Sequence, residues 1–389
     1  MAVTVIADDL TGACDAGAMF AGRAPVPVLT VAVAIETDAP AVAIDTESRA
    51  LTAGEAASRM RRTAAGLAGH RGPAVLFKKI DSTFRGPIAA EVSALLETVD
   101  ASAALVCPAF PAQGRTVING ILLVGGVPAH ETAVGADPTY PGSSDLLEIL
   151  SRQALPATSV ALLPLKEVRR GAEELRRTLH GRRGIIVADA ETDADLEALA
   201  RAGLAHGSLL LAGSAGLAGP VSAALGMSSR TVSCPAPGAW LIVAGSRHPT
   251  TRAQIAALEA AGIAGARMTP VGETALDPVI AALARGEPAF IAGPEAPAGE
   301  AKRVAMALAA AGREAAGSSP SIVAVTGGDT ALAFMRAWGA TRLDVDGAPA
   351  PGLALGRLVA ADGATLPILT KAGGFGAPDL LVSLARGPA

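Results

Sequence analysis

Aromatic side chains are scarce in this 389-residue sequence: 3% of the total, with Trp 2, Tyr 1 and Phe 7. With half the residues hydrophobic, the core must be built from Ala, Val, Leu and Ile in close contact. That profile suits strands buried on both faces and helices meeting through small residues, and it excludes disorder. Cysteine is also rare, with 3 residues. Cys14, Cys107 and Cys234 are far apart and odd in number, so neither a disulfide framework nor a CxxC metal pattern is present. A reducing cytoplasm fits best. Charged residues make up only 17%, and Lys+Arg 32 nearly balances Asp+Glu 36. No basic block or aromatic–Arg run marks a nucleic-acid groove, and no such partner is expected.

Several familiar motifs are missing too. No Lys follows a Gly, which excludes a GxxxxGK[ST] loop. HRD and DFG are absent, which excludes a protein kinase, and neither GxGxxG nor GxSxG occurs. HETAV at 130–134 is not HExxH, so no zinc protease is implied. The opening MAVTVIADDL has no basic region and reaches two acids by position 9, so no signal peptide is expected. The uncharged stretch from Gly207 to Ser229 is long enough to raise the membrane question. Its Gly and Ser residues and Pro220 read instead as strand, tight turn and buried helix.

What is present is a rhythm. Apolar runs at Val3–Ala7, Val42–Ile44, Val75–Phe77, Ala103–Val106, Ile185–Ala188 and Leu209–Ala212 read as buried strands. Helical patterns lie at Thr11–Ala21, Ala53–Leu67, Ile88–Leu96 and Glu167–Leu179. Gly226–Ala239, rich in Ser, Pro and Gly, breaks the rhythm and reads as a linker. The alternation then restarts with strands Trp240–Ala244, Ala289–Ala292 and Ile322–Val325 and helices Thr250–Ala261, Glu300–Ala311 and Thr330–Trp338. The expectation is α/β: two domains, 1–234 and 235–389, each a largely parallel or mixed sheet flanked by helices. Ligands of such sheets sit beyond the carboxyl ends of the strands, so the polar residues there are the candidates, with the cleft between the domains as the expected active site.

In VIADDLTGACDAG a strand delivers Asp8 and Asp9 into the start of a helix. Paired carboxylates can hold Mg2+ or accept a hydroxyl proton, whereas a helix cap needs one Asp only. In VAIDTESRAL, Asp45 and Arg49 follow a strand. Arg49 could grip a carboxylate with its two-pronged guanidinium or form a surface pair with Glu47 or Asp45. FKKIDSTFRGPIAAE places Lys78, Lys79, Asp81, Ser82, Thr83 and Arg85 at one strand end, a cradle for an anionic polyol or else a solvated turn. Only five lysines occur in the chain, at 78, 79, 166, 302 and 371, so those retained point to sites that need a compact ammonium.

Residues 107–132 form a Pro/Gly-rich loop with a hairpin-like middle, in which Gln113, Arg115, His130 and Glu131 could line a site; His130 reads rather as structural. Gly213-Ser214-Ala215-Gly216 could leave backbone N–H groups to an anion, or serve close helix–strand packing. In the second domain, glycine-bearing turns follow three strands: Gly245-Ser246, Gly327-Gly328-Asp329-Thr330, and Lys371 with Gly373, Gly374 and Gly376. Such turns let backbone approach phosphates or a base.

Taken together, IADDLTGACDAG, DTESR, KKIDSTFRG, PAFPAQGRT, VPAHET and GSAGLA resemble the N-terminal domain of the four-carbon acid sugar kinase family. GSRHPTTRAQI, TGGDTA, PGLALGRLV and TKAGGFGAPD resemble its C-terminal domain. That family phosphorylates threonate, erythronate or 3-oxo-tetronate at the C4 hydroxyl. The resemblance implies that Asp9, Arg49 and the segment Lys79-Ile80-Asp81-Ser82 contact the sugar acid, and Asp8 and Arg85, at the same strand ends, are candidate contacts beside them. It implies that Ser246, Gly327, Gly328, Asp329, Thr330 and Gly374 contact ATP; Lys371 and Gly373, in the last glycine turn, are expected to help hold the triphosphate, with Mg2+ bridging its oxygens. A homodimer is among the assemblies it allows. Arg247-His248 departs from the small residues usual there.

The chemistry expected is in-line phosphoryl transfer, which rests on positioning and charge neutralisation. Asp9, Asp81 and Asp329 are the candidates for metal contact or proton acceptance. A kinase for another hydroxy acid such as glycerate, or a non-catalytic sugar-acid sensor, are the alternatives. The two reactants are expected to bind with positive coupling as the domains close, with Gly226–Ala239 as hinge.

Overall fold

The computed structural model describes residues 3–30, 38–68, 75–99, 101–156, 158–228, 230, 232–270, 272–294 and 298–387. Along the chain run β1 (Val3–Ala7), α1 (Leu10–Met19), β2 (Val26–Thr30), β3 (Ala41–Asp45), α2 (Ala53–Ala68), β4 (Val75–Lys79), α3 (Ile88–Thr98) and β5 (Ala103–Cys107). Next come β6 (Arg115–Ile118), β7 (Ile121–Val124), β8 (Val127–Pro128), α4 (Leu146–Gln153), β9 (Val160–Leu163), α5 (Leu165–Val168), α6 (Ala172–Leu179), β10 (Gly184–Ala188), α7 (Asp193–His206), β11 (Leu209–Gly213) and α8 (Ala215–Ala224). After these lie β12 (Trp240–Ala244), α9 (Pro249–Ala260), β13 (Ala264–Arg267), α10 (Asp277–Ala284), β14 (Ala289–Ala292) and α11 (Ala301–Ala316). The chain closes with β15 (Ile322–Thr326), α12 (Gly328–Trp338), β16 (Ala340–Gly347), β17 (Leu353–Ala360), β18 (Thr365–Lys371) and α13 (Leu380–Arg386).

These elements form two compact units. The first comprises Met1–Ala24 and Thr30–Ser229, the second Pro25–Leu29 and Arg230–Ala389. In the first unit the strands are ordered β3-β1-β4-β11-β5-β10-β9, and every pair is parallel. β1 lies inside this sheet, and all five residues of VTVIA are buried. A strand covered on both faces has no use for alternation, which is why its sequence reads as one apolar run.

The helix expected over Glu167–Leu179 is two helices, α5 and α6. Gly171, with φ 92°, stands between them as the N-cap of α6; its missing Cβ permits a backbone turn there that helical periodicity does not reveal. The hairpin-like middle of 107–132 is a three-stranded antiparallel sheet, β6-β7-β8. Asp189, fully buried at the end of β10, ties it down by accepting from the Asn119 and Gly120 N–H groups at 3.0 and 2.8 Å and from Leu165 N–H at 3.1 Å.

The second unit has the order β13-β14-β12-β15-β18-β17-β16-β2. From β13 to β18 the pairs are parallel. β18, β17, β16 and β2 then form an antiparallel run. β2 was not among the strands expected from sequence. Its partner is β16, with Leu343 opposite Val28 and Val345 opposite Val26, more than three hundred residues further along the chain. The core packs Trp240, Ile242, Leu258, Phe290 and Leu369 together, each removed from water at a gain of about 1.5–3 kcal/mol.

The described residues of the segment Gly226–Ala239 carry neither helix nor strand; positions 229 and 231 of that expected linker lie outside the described residues. No helix among the described residues is long and apolar enough to cross a membrane. The stretch 207–229 gives β11 and α8 instead, with Pro220 inside the helix.

Candidate active site

Three parallel strands of the first unit, β1, β3 and β4, lie side by side, so their carboxyl ends deliver Asp8-Asp9, Asp45 and Lys79 to one edge. Asp9 is the N-cap of α1: its Oδ1 accepts from Gly12 N–H at 2.9 Å and its Oδ2 from the Thr11 hydroxyl at 2.7 Å. Asp9 therefore does cap, and it does more. Arg49 reaches over from the turn after β3, donating to Asp8 through Nε at 2.7 Å and Nη2 at 2.8 Å. The same Nη2 lies 2.8 Å from Asp9 Oδ1. Neither Glu47 nor Asp45 is its partner.

Burial opposes the ionised form of Asp8, but the charges of Arg49, Lys78 and Lys79 outweigh it and hold the carboxyl below its ordinary range. Asp45 shows the opposite balance. Burial, joined by the charges of Asp9, Glu47 and Asp8, pushes its carboxyl well above the usual value against the single bond from Glu47 N–H.

The lysines of β4 have different roles. Lys78 is fully buried and its Nζ lies 2.8 Å from Glu91 Oε2, a carboxylate on α3 buried as completely. Ser48 donates a short hydrogen bond to the other oxygen of Glu91. Lys78 thus belongs to an internal ion pair, not to the cradle its position suggests. Lys79 is 4% exposed, and its Nζ donates to the Ile80 carbonyl at 2.8 Å with no carboxylate paired to it among the described residues. An atom at the Cβ position of Gly12 would lie 3.6 Å from this ammonium and 3.8 Å from Arg49 Nη2, so both cations border the start of α1.

Beyond Ile80, whose N–H donates to Gly213 O, the chain turns sharply. Asp81 accepts from Arg85 Nε at 2.8 Å and Nη2 at 3.1 Å, and from Thr83 in a short bond. Arg85 also reaches Asp137 at 3.1 Å. Burial opposes the ionised form of Asp81, yet Arg85 and Arg49 pull its carboxyl well below the ordinary value, which makes it a weak proton acceptor. Ser82 is buried in the same turn. Arg115, on β6, is near enough to feel both Asp81 and Arg85, and its Nη1 donates to Gln113 O. His130 stands at an exposed position with Nδ1 2.8 Å from Ser144 Oγ, a structural contact. Ser214 caps α8 and donates to Ala109 O at 2.7 Å, so the 213–216 glycine turn serves helix–strand packing.

In the second unit the three glycine turns converge, because β12, β15 and β18 are neighbours. Gly245 N–H donates to Thr326 O and Gly327 N–H to Lys371 O, both at 3.2 Å. Gly327 has φ 95°, and a Cβ there would meet Ser246 N at 3.2 Å. A side chain at Gly373 would collide with Ser246 Oγ, and one at Gly374 would lie 3.2 Å from His248 Nε2. The backbone conformation at Gly327 and the collision at Gly373 require glycine there, and Gly374 is a close fit against His248.

α9 secures the last turn. Thr251 donates to Gly373 O at 2.8 Å, and Gln254 Nε2 reaches the carbonyls of Phe375 and Ala377 at 3.1 and 2.9 Å. His248 caps α9, its Nδ1 accepting from Thr250 N–H at 3.2 Å, while Arg247 is exposed. Asp329 is exposed in the first turn of α12, with Thr330 buried behind it. Lys371 is fully buried at the end of β18. Sequence reasoning missed Glu91, Thr251 and Gln254. A lone acid in the apolar stretch of α3, and two polar residues one helical turn apart on α9, were the available signals.

Residues 3–221 match the model of a sugar-binding N-terminal domain, and 241–381 that of a nucleotide-binding C-terminal domain. The D-threonate kinase of Bordetella bronchiseptica is 33% identical over 99% of this chain and 96% of its own length. The chain belongs to the four-carbon acid sugar kinase family. The 3-oxo-tetronate kinase of Methylobacterium radiotolerans is 32% identical over 97% of each chain. A solved structure from Salmonella typhimurium LT2 has the same fold, with TM-score 0.80 and 22% identity over 99% of this chain and 98% of its own. A solved Bordetella bronchiseptica structure, described as a domain-swapped dimer with bound citrate, is 32% identical over 100% of this chain and 98% of that one, with TM-score 0.50.

As a kinase of this family, the molecule is a small-molecule phosphotransferase that uses a nucleotide. Its buried Lys78–Glu91 pair is expected to be a structural element of the site. Lys78→Met should cost about 3–5 kcal/mol by stranding a buried carboxylate, and Lys78→Met with Glu91→Met should recover most of it. Urea unfolding of the three proteins measures this. A single mutant as stable as wild type would show that the pair is not what holds α3 to β4.

Proposed function

We propose that this kinase transfers the γ-phosphoryl group of ATP to the C4 hydroxyl of a four-carbon sugar acid, with D-threonate as the favoured substrate. The observation that carries the reading is the distribution of charge in the first unit. Arg49 is neutralised by Asp8 and Asp9, Lys78 by Glu91 and Arg85 by Asp81 and Asp137. Lys79 alone among these cations has no carboxylate partner, and it borders the same strand ends. A buried ammonium in that state calls for an external anion, and a sugar-acid carboxylate is one of the right size. The Bordetella relative named D-threonate kinase supports the choice of acid. Arg49 then acts mainly by orienting Asp8 and Asp9, not by gripping substrate.

Of the acidic residues, Asp9 is the proposed acceptor of the hydroxyl proton. Asp8 and Asp81 are each held acidic by arginines that grip both their oxygens, whereas Asp9 meets Arg49 through one oxygen only and keeps part of its side chain open to solvent, 15%. In the second unit, Ser246, the turn Gly327–Thr330 and Gly373-Gly374 would receive the phosphates against backbone N–H groups. Mg2+ fits this arrangement. No group of three His, Cys, Asp or Glu among the described residues forms a metal cage, but Mg2+ takes phosphate oxygens and water and needs only one or two carboxylates. Asp329, exposed in the first turn of α12, would supply one. The ion would offset charge on the phosphate oxygens.

ATP consumption should be measured against D-threonate, D-erythronate, 3-oxo-tetronate and glycerate. D-Threonate is expected to give the highest kcat/KM, and Lys79→Met to raise its KM about 10–100-fold at unchanged nucleotide affinity, the loss of one charge-assisted contact. Equal KM in the mutant removes Lys79 from the carboxylate subsite. No turnover with any acid would favour a sensor, and glycerate as the best substrate would move the enzyme to another hydroxy acid.

Asp9→Asn separates capping from chemistry, because Asn caps a helix about as well as Asp. Turnover is expected to fall about 10²–10⁴-fold while the melting temperature stays within a few degrees. Wild-type turnover would leave Asp9 as a cap only. A homodimer is proposed on the dimeric Bordetella relative; light scattering that gives only a 38.5 kDa species would discard it.

A further inference from the structure

Lys371 is the one lysine of the second unit with a fully buried side chain among the described residues, and no carboxylate among them is paired with it. Its Nζ donates to two carbonyls of the following turn, Ala372 O at 3.1 Å and Gly373 O at 3.3 Å. Across the sheet its register partners are Thr326 on β15 and Leu353 on β17, both uncharged. The adjoining turns carry His248 and Asp329, and no carboxylate among the described residues forms an ion pair with the amine. Among the buried lysines of the described residues, Lys78 has Glu91 against it, and only Lys79, in the other unit, likewise has just a carbonyl. This amine also sits where the three glycine turns meet. Its carbonyl partners belong to the Gly373-Gly374 turn, and its own carbonyl accepts from Gly327 N–H.

We propose that Lys371 is the charge partner of the nucleotide's phosphates and that it acquires its full positive charge only when they arrive, so that nucleotide binding takes up a proton. This rests on the nucleotide-site reading above and adds to it a state of the empty protein. A buried amine whose only partners are carbonyls is costly to charge, and desolvation brings Lys371 down to about 7 in the ligand-free protein. A phosphate dianion nearby, in a low dielectric, favours the ammonium and raises that value again. The sign follows from linkage. Below pH 7 the amine is already charged and binding needs no proton. Above pH 7 the empty protein holds a neutral amine, binding must draw a proton, and affinity falls by up to about tenfold per pH unit until the bound-state value is passed.

The test is calorimetry of the full-length protein with MgADP, from pH 7 to 9, in buffers of differing ionisation heat; the diphosphate stays ionised throughout this range. Wild type is expected to take up about half a proton at pH 7 and nearly one at pH 8.5, with affinity weakening as pH rises. Lys371→Arg, permanently charged, should bind with neither proton uptake nor pH dependence. Lys371→Met should bind at least about tenfold more weakly, also without uptake. Uptake that persists in either variant, or wild-type binding with no uptake, overturns the proposal while leaving the nucleotide site in place. If wild type fails to bind MgADP, the nucleotide-site reading falls and this inference with it. Should both variants fail to fold, the wild-type series still decides, because affinity constant from pH 7 to 9 refutes the coupling.

Discussion

Two adjacent carboxylates at the end of a buried strand repel each other and lose their hydration, and Asp8 and Asp9 coexist after β1 because Arg49 lies against both. The geometry requires arginine. One guanidinium donates a parallel pair of bonds to Asp8 and shares Nη2 with Asp9, which a lysine ammonium could not reproduce. The clamp also joins the turn after β3 to the first turn of α1, where Asp9 holds the Gly12 N–H. One side chain thus ties the capping residue of α1 to the turn after β3 and is the largest of the charges that hold Asp8 ionised.

Around that clamp the first unit assigns each cation a task through its partners. Lys78 and Lys79 are neighbours on β4 and so point to opposite faces of the sheet. One meets Glu91 on α3, and the other stays at the edge with only a carbonyl. Arg85 folds back on Asp81 four residues earlier and closes the turn. Lys79, with no carboxylate partner among the described residues, stands beside carboxylates of unequal basicity, where environment and not residue type separates Asp8 and Asp81 from Asp45.

The second unit meets a similar demand with backbone. Its strand ends carry little side-chain charge, and the residues packed there are glycines whose missing Cβ atoms let three turns come within contact distance. Gln254 and Thr251 hold the carbonyls of the last turn from the α9 side. Lys371 holds two more from within the sheet. The unit therefore combines a rigid polar backbone with one poorly solvated amine.

Much of this was legible in the residues. Strands such as VTVIA and WLIVA announce themselves because a strand buried on both faces must be apolar throughout, and the polar turns that follow mark the ligand-facing edge of a parallel sheet. Asp9 as a cap, and the glycine turns as places of close approach, follow from local chemistry alone. Three-dimensional pairing decided the rest. No local signal says that Val26–Thr30 pairs with Leu343–Val345, since hydrogen-bonded register depends on the partner and not on propensity. Lys78 and Lys79 are the same residue type in the same strand, and only the approach of Glu91 neutralises one and leaves the other with just a carbonyl. The sequence by itself determined which chemical groups stand at the strand ends. The tertiary structure decided which of them are neutralised, because a charge is cancelled by what lies within a few ångströms in space, wherever that lies along the chain.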